Sequence, residues 1–181
     1  MTENTQRFNH AINIILEHEG GYTNDDDDPG KETNFGITER NLDKVYKKLC
    51  IPDNVGDLVR DDAVKYYKSE WWDKYKYGSI NSLALATKIF DMAVHMGPYK
   101  ACRIVQESAL SLGLGYQLNV DGILGSQTVA MLNDICSNGH EEDLKEEIIN
   151  EQKWFYTYLA KQNNKLKKFM PGWLKRANYY D

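Results

Sequence analysis

From Gln6 to His18 the apolar residues Phe8, Ala11, Ile12, Ile15 and Leu16 recur at helical spacing, which predicts a first helix with one buried face. Gly20-Gly21 follows at once. A glycine just past the last periodic residue stops a helix, so Glu19 is expected in its last turn. After an acidic stretch, Thr33, Phe35 and Ile37 alternate with smaller or polar residues, the period of a short strand or hairpin edge. Thr38 suits the N-cap of a second helix, with Leu42, Val45, Tyr46 and Leu49 on one face and an end before Pro52. Asp61 is expected to cap a third, with Val64, Tyr67 and Trp71 in phase. Ser82 opens a strongly apolar helix through Leu83, Ala86, Ile89, Phe90, Ala93 and Val94, expected to be the buried centre of the fold. Gly97-Pro98 breaks it and starts the next, which presents Ala101, Ile104, Val105 and Leu112. Asn119 to Gly125 reads as a turn. Ser126 opens a helix with Val129, Leu132 and Ile135, and a long helix runs from Glu142 to near Asn163. Helices with one small β element predict a mostly α chain of the α+β kind.

Composition narrows the class. A chain of 181 residues with 41% hydrophobic and 12% aromatic residues can bury a core as one domain, or one domain with a small subdomain. A net charge of −5 argues against a nucleic-acid binder. No apolar run reaches the roughly 18 residues of a membrane span. The start, MTENTQRFNH, has no apolar core of a signal peptide, so synthesis in the cytoplasm is expected. Cys50, Cys102 and Cys136 form no CxxC pair and read as buried thiols.

The chemistry concentrates between Glu19 and Thr38, EGGYTNDDDDPGKETNFGIT. A loop so rich in glycine and acid is not needed by a core, whereas a site held between rigid helices uses one. Glu19 has two readings. It is a solvated helix-end residue, or it is an acid: the negative end of a helix and apolar neighbours favour the protonated form of a carboxyl, as general-acid catalysis requires. The four aspartates read as a solvated loop. A calcium loop from Asp25 is rejected, because its fifth position is Pro29 and its twelfth is Gly36. Trp71, Trp72, Tyr75 and Tyr77 form an aromatic-rich region, either core or a surface for sugar rings. Asp91, inside the apolar helix, reads as a structural polar anchor rather than a catalytic group. Lys161, Lys165, Lys167, Lys168, Lys175 and Arg176 make a basic tail punctuated by Trp173. It is a charged face closing over the core or a means of salt-sensitive attachment to an anionic polymer. No constellation for zinc or a Cys/Ser nucleophile is seen, and no metal or cofactor is expected.

These residues carry a resemblance. Glu19-Gly20-Gly21-Tyr22, Asp28-Pro29-Gly30 and Thr33-Asn34-Phe35-Gly36-Ile37-Thr38 resemble the signature of glycoside hydrolase family 108, muramidases of peptidoglycan with a lysozyme-like fold. The likeness continues in Arg60-Asp61-Asp62-Ala63 through Tyr67 and Trp72, in Phe90-Asp91-Met92-Ala93-Val94-His95-Met96-Gly97 and Val120-Asp121-Gly122-Ile123-Leu124-Gly125, and to Gly172-Trp173-Leu174-Lys175-Arg176. Two departures stand out: Lys31-Glu32 where small residues are common, and His95 where Asn is usual.

The resemblance implies a lysozyme-like lobe over residues 1–96, with a β-hairpin beside its cleft, and a helical peptidoglycan-binding-like lobe over 97–181. It implies Glu19 as catalytic acid. By analogy with phage-type lysozymes, it implies Asp28 as the second group and Thr33 orienting water, with Tyr22, Asn34 and Phe35 as subsite walls. The implied reaction is cleavage of the bond between N-acetylmuramic acid and N-acetylglucosamine by a monomer. Its partner is the peptidoglycan glycan strand, and neither nucleic acid nor membrane insertion is expected. The place of action is the periplasm or wall after holin-, lysis- or export-dependent release, in host lysis or protein secretion. The alternative is a non-catalytic peptidoglycan-binding or remodelling module.

Overall fold

The structure, a computed structural model, describes residues 2–24 and 32–180. It divides into two compact units, residues 1–76 and 77–181.

In the first unit, helix α1 (Glu3–Glu19) buries Phe8, Ala11, Ile12, Ile14 and Ile15. Ile14 takes the place expected for Leu16, which is half-buried. Strands β1 (Thr23–Asn24), β2 (Glu32–Asn34) and β3 (Ile37–Thr38) form an antiparallel sheet with β2 in the middle. The hairpin read from the alternation is β2–β3, and β1 adds an edge by pairing Thr23 with Thr33 and Asn24 with Glu32. Phe35 and Gly36 join β2 to β3 with φ of 52° and 74°. Positive φ at both central residues is the pattern of a type I′ turn, whose twist matches that of the strands.

The second predicted helix is broken into α2 (Glu39–Leu42) and α3 (Tyr46–Leu49). Leu42 and Val45 both turn inward, at 0% and 8% exposure. Helix α4 (Arg60–Tyr67) begins two residues earlier than expected. Its N-cap is Val59 rather than Asp61, and Asp62 in the first turn accepts from the Val59 N–H at 3.3 Å. A π-helical turn, Lys68–Asp73, then extends the helix. The wider turn rotates the phase, so Trp72 is buried where the helical period chose Trp71. Trp72 packs edge-on against Phe8 at 5.7 Å and donates its indole N–H to Asn4 at 2.9 Å.

The second unit is helical: α5 (Leu83–Met96), α6 (Pro98–Ser111), α7 (Ser126–Ser137), α8 (Glu141–Gln162) and α9 (Met170–Asn178). Ser82 caps α5 by accepting from the Leu85 N–H at 3.1 Å. Every residue from Leu85 to Ala93 is buried, so α5 is enclosed on all sides, the central helix that its apolar pattern predicted. Two of those residues are charged, and both find partners at the chain's end. Arg176 grips the Asp91 carboxylate with Nε at 3.1 Å from each oxygen and Nη2 at 2.8 Å from Oδ1. Lys88 donates to the carbonyls of Ala177 and Tyr179 at 2.7 and 2.9 Å, where α9 leaves its last C=O groups open. Asp91 is thus the structural anchor expected of it. The basic tail is divided: Arg176 turns inward, Trp173 stacks with Phe169 and lies against Tyr156, and the five lysines stay exposed.

The Asn119–Gly125 turn is held by Gln106, fully buried on α6. Its amide donates to Asp121 Oδ1 at 3.0 Å and its carbonyl accepts from the Gly122 N–H at 2.8 Å. Only Cys102 among the thiols is buried. Cys50 is exposed because it closes α3 in the left-handed region at φ 51°, which turns its side chain outward, and Cys136 is half-buried. No described helix is long and apolar enough to cross a membrane.

Candidate active site

Glu19 is the last residue of α1, and Gly20 closes the helix at φ 73°. That left-handed backbone is easy for glycine alone, so the helix stops here and leaves Glu19 half-buried at its end. The carboxylate lies against the tip of the hairpin. A Cβ placed on Gly36 would sit 2.6 Å from Glu19 Oε2 and 2.7 Å from the Tyr67 hydroxyl oxygen. The absence of a side chain at Gly36 is therefore what admits both oxygens to the same spot.

The Tyr67 hydroxyl donates to the Phe35 carbonyl at 2.9 Å. It thereby fixes the turn from the far side. Phe35 is a bulky residue held at positive φ, a conformation costing about 1 kcal/mol or more, and the surroundings must impose it. Tyr67 is itself 1% exposed and packs edge-on against Tyr66 at 5.3 Å. Burial pushes the Tyr66 phenol above its ordinary range. Helix end, glycine turn and phenol thus bring a carboxylate and a hydroxyl together from three separate elements.

The other predicted site residues are placed differently. Thr33 lies mid-sheet, half-buried, opposite Thr23 on one side and Thr38 on the other. Asn34 is 5% exposed, and its amide donates to the carbonyls of Val55 and Leu58, each at 3.1 Å. That clamp holds the short 3-10 turn Val55–Asp57 beneath β2. Phe35 is half-buried in the hairpin turn, its backbone carbonyl engaged by Tyr67. Tyr22 is half exposed, and its ring lies with the Glu32 carboxylate over Gly56, where an added Cβ would be 3.7 and 3.3 Å from them. Asp28 lies outside the described residues, as do its neighbours Asp25, Asp26 and Asp27. The structure therefore brings Glu19 to the Phe35–Gly36 turn and sets Tyr22 and Asn34 around the Val55–Asp57 turn. Among the described residues, no three His, Cys, Asp or Glu side chains converge as a metal group.

Tyr67 is the neighbour of Glu19 to which sequence reading gave no place at the site. It reads as one more apolar-phase residue of α4, and only the fold shows its hydroxyl emerging at Glu19 and Gly36. The aromatic region divides likewise. Trp72 and Tyr77 are core, at 1% and 2% exposure, whereas Trp71 and Tyr75 are half-buried with ring centres 6.0 Å apart.

Residues 12–97 match the family model Glycosyl hydrolase 108, and residues 100–178 match Predicted Peptidoglycan domain. Among curated proteins none matches the sequence. A solved structure of Brucella abortus SagA is similar, with a TM-score of 0.61 and 21% identity over 97% of this chain and 98% of that one. At that identity the likeness speaks for the fold, and the fold is the mostly helical, lysozyme-like one expected. With Glu19, Gly36 and Tyr67 all inside the first matched segment, residues 12–97 make a glycosyl hydrolase 108 domain, followed over residues 100–178 by a predicted peptidoglycan domain.

Proposed function

We propose that the chain is an N-acetylmuramidase, cutting the β-1,4 bond between N-acetylmuramic acid and N-acetylglucosamine. The observation that carries this is the Glu19 carboxylate, set at a helix end against the Gly36 turn beside the Tyr67 hydroxyl. The glycosyl hydrolase 108 domain supports a hydrolase acting on a glycan, and the peptidoglycan domain supports the wall as its substrate. In this reading Glu19 gives its proton to the leaving oxygen as the bond to the muramic acid anomeric carbon breaks. A second group steadies the oxocarbenium-like transition state or takes the proton of the attacking water, whose hydroxyl ends on that carbon. Asp28 is assigned that role, with Thr33 orienting the water. Tyr22 is assigned as a subsite wall. The site of action is the wall, reached after holin-, lysis- or export-dependent release, in host lysis or in local opening for protein secretion.

The test is incubation of wild type and Glu19→Gln with peptidoglycan sacculi, followed by reduction of the released fragments and mass spectrometry. Fragments ending in reduced muramic acid from wild type alone are expected. Fragments ending in reduced glucosamine would overturn the bond assignment. Equal release by both proteins would remove Glu19 as the acid. Co-sedimentation without any release would leave a non-catalytic wall-binding module.

A further inference from the structure

Away from Glu19, the second unit carries a built groove that the catalytic reading does not use. Tyr99, Lys100, Arg103 and Glu107 on α6 face Glu151 and Trp154 on α8 across an open hollow of about 490 Å³. That volume lies within the range of small-ligand sites, which run from about 300 to 1,000 Å³. Trp154 is 63% exposed and Tyr99 55%. One turn beyond Trp154, Tyr158 stacks on it with ring centres 5.6 Å apart and planes 13° from parallel. The stack braces the exposed Trp154 ring on α8.

The groove's walls are set by the rest of the fold. A Cβ on Gly122 would meet the Tyr99 ring at 2.6 Å, so the Gln106-clamped turn buttresses that ring from behind. Arg103 donates to Glu107 at 3.0 Å, and its carbon lies 6.0 Å from the Tyr99 ring centre. Lys100 sits 4.8 Å over the Phe155 ring. The lining thus offers two cations, two carboxylates and broad aromatic faces.

We infer that this α6/α8 groove binds a disaccharide-peptide segment of peptidoglycan. The inference rests on the wall being the substrate, and it assigns residues to a binding role apart from Glu19. Aromatic faces suit the apolar faces of pyranose rings, and Glu151 is placed to accept from sugar hydroxyls. Arg103 and Lys100 match the carboxylates of the lactyl-linked peptide, and Glu107 and Glu151 match an amino group on its side chain. The balanced charge disfavours a nucleic acid, which needs a net positive surface. It equally disfavours a membrane surface, which selects a basic face beside an apolar one.

The test uses the full chain. Affinity for sacculi is measured by co-sedimentation in the Glu19→Gln background, where nothing is cut. Hydrolysis of short soluble glycan fragments is measured with Glu19 intact. Trp154→Ala and Arg103→Ala are each expected to weaken sacculus binding about tenfold, the effect of losing one good stacking or ionic contact. Trp154→Phe should restore most of the binding, and turnover of the soluble fragments should stay within about twofold of wild type. Circular dichroism checks folding, and Arg103→Ala alone carries the test if Trp154→Ala does not fold. Unchanged sacculus affinity in these variants overturns the site, even with hydrolysis intact. A wild type that cuts nothing would sink the muramidase reading, yet loss of binding in the Trp154 variant would still support the groove. Competition by chitotetraose as strong as by a soluble disaccharide-peptide would overturn the peptide half. A dimer in sedimentation velocity that Trp154→Ala abolishes would assign the face to a second copy instead.

Discussion

Gly36→Ala probes the acid site most directly, because it adds one methyl where the structure leaves room for none. The new Cβ would sit 2.6 Å from Glu19 Oε2, and ordinary contact begins at 3.4 Å, so the carboxylate or the turn must give by 0.8 Å. The Tyr67 hydroxyl, 2.7 Å from the same point, closes the alternative direction. Separately, alanine at φ 74° costs about 1–2 kcal/mol of backbone strain. Displacement of a reacting group by roughly 1 Å lowers turnover about 10²-fold. The variant should therefore lose about 1–2 kcal/mol of stability and about two orders of magnitude in kcat. Gly113→Ala is the control: its φ is 67°, but nothing lies within 4 Å of its Cβ, so it carries the strain without the collision. Urea unfolding and release of reducing ends from sacculi, run on both variants, separate the two effects. If Gly36→Ala kept wild-type kcat while losing the same stability as Gly113→Ala, the seating of Glu19 against Gly36 would have no part in catalysis.

Tyr67→Phe removes the donor to the Phe35 carbonyl; a stability loss of about 1 kcal/mol is expected in urea titrations. With it, kcat should fall about tenfold at nearly constant KM, and a raised KM at unchanged kcat would show that the hydroxyl serves substrate binding instead. Asp91→Ala leaves the Arg176 guanidinium, 11% exposed, without its carboxylate, and should cost about 3–5 kcal/mol by denaturant unfolding. Lys88 gives a pH signature. Burial lowers its amine from 10.5 to about 8, against the opposing pull of Asp91. A base with a depressed folded pKa carries a destabilisation that is full below pH 8 and is lost as pH rises toward 10.5. Wild type should gain up to about 3 kcal/mol relative to Lys88→Met between pH 7 and 10, and parallel stability curves for the two proteins would refute this.

Much of the fold is legible in local pattern. The period of Phe8, Ala11, Ile12 and Ile15 and the glycine after Glu19 place the acid at a helix end without any tertiary information. Ser82 and Pro98 mark helix starts where the structure has them. The same local rules fail where one residue's partner is distant. The α4 phase chose Trp71, and the π turn that buries Trp72 exists because Trp72 has Phe8 and Asn4 to meet. Asn34 stands inside the acid-site motif, yet its amide holds Val55 and Leu58.

What the sequence determined by itself was most of the helices, the hairpin and the position of Glu19 at a helix end, because periodicity, capping and glycine act over a few residues; the break between α2 and α3 and the helix α9 were not read from it. What the tertiary structure decided was which groups share a site. Gly36 and Tyr67 meet Glu19 from two other elements, and Arg176 meets Asp91 across 85 residues of chain. Such pairings depend on how the elements pack, and short-range spacing carries no record of packing between distant segments.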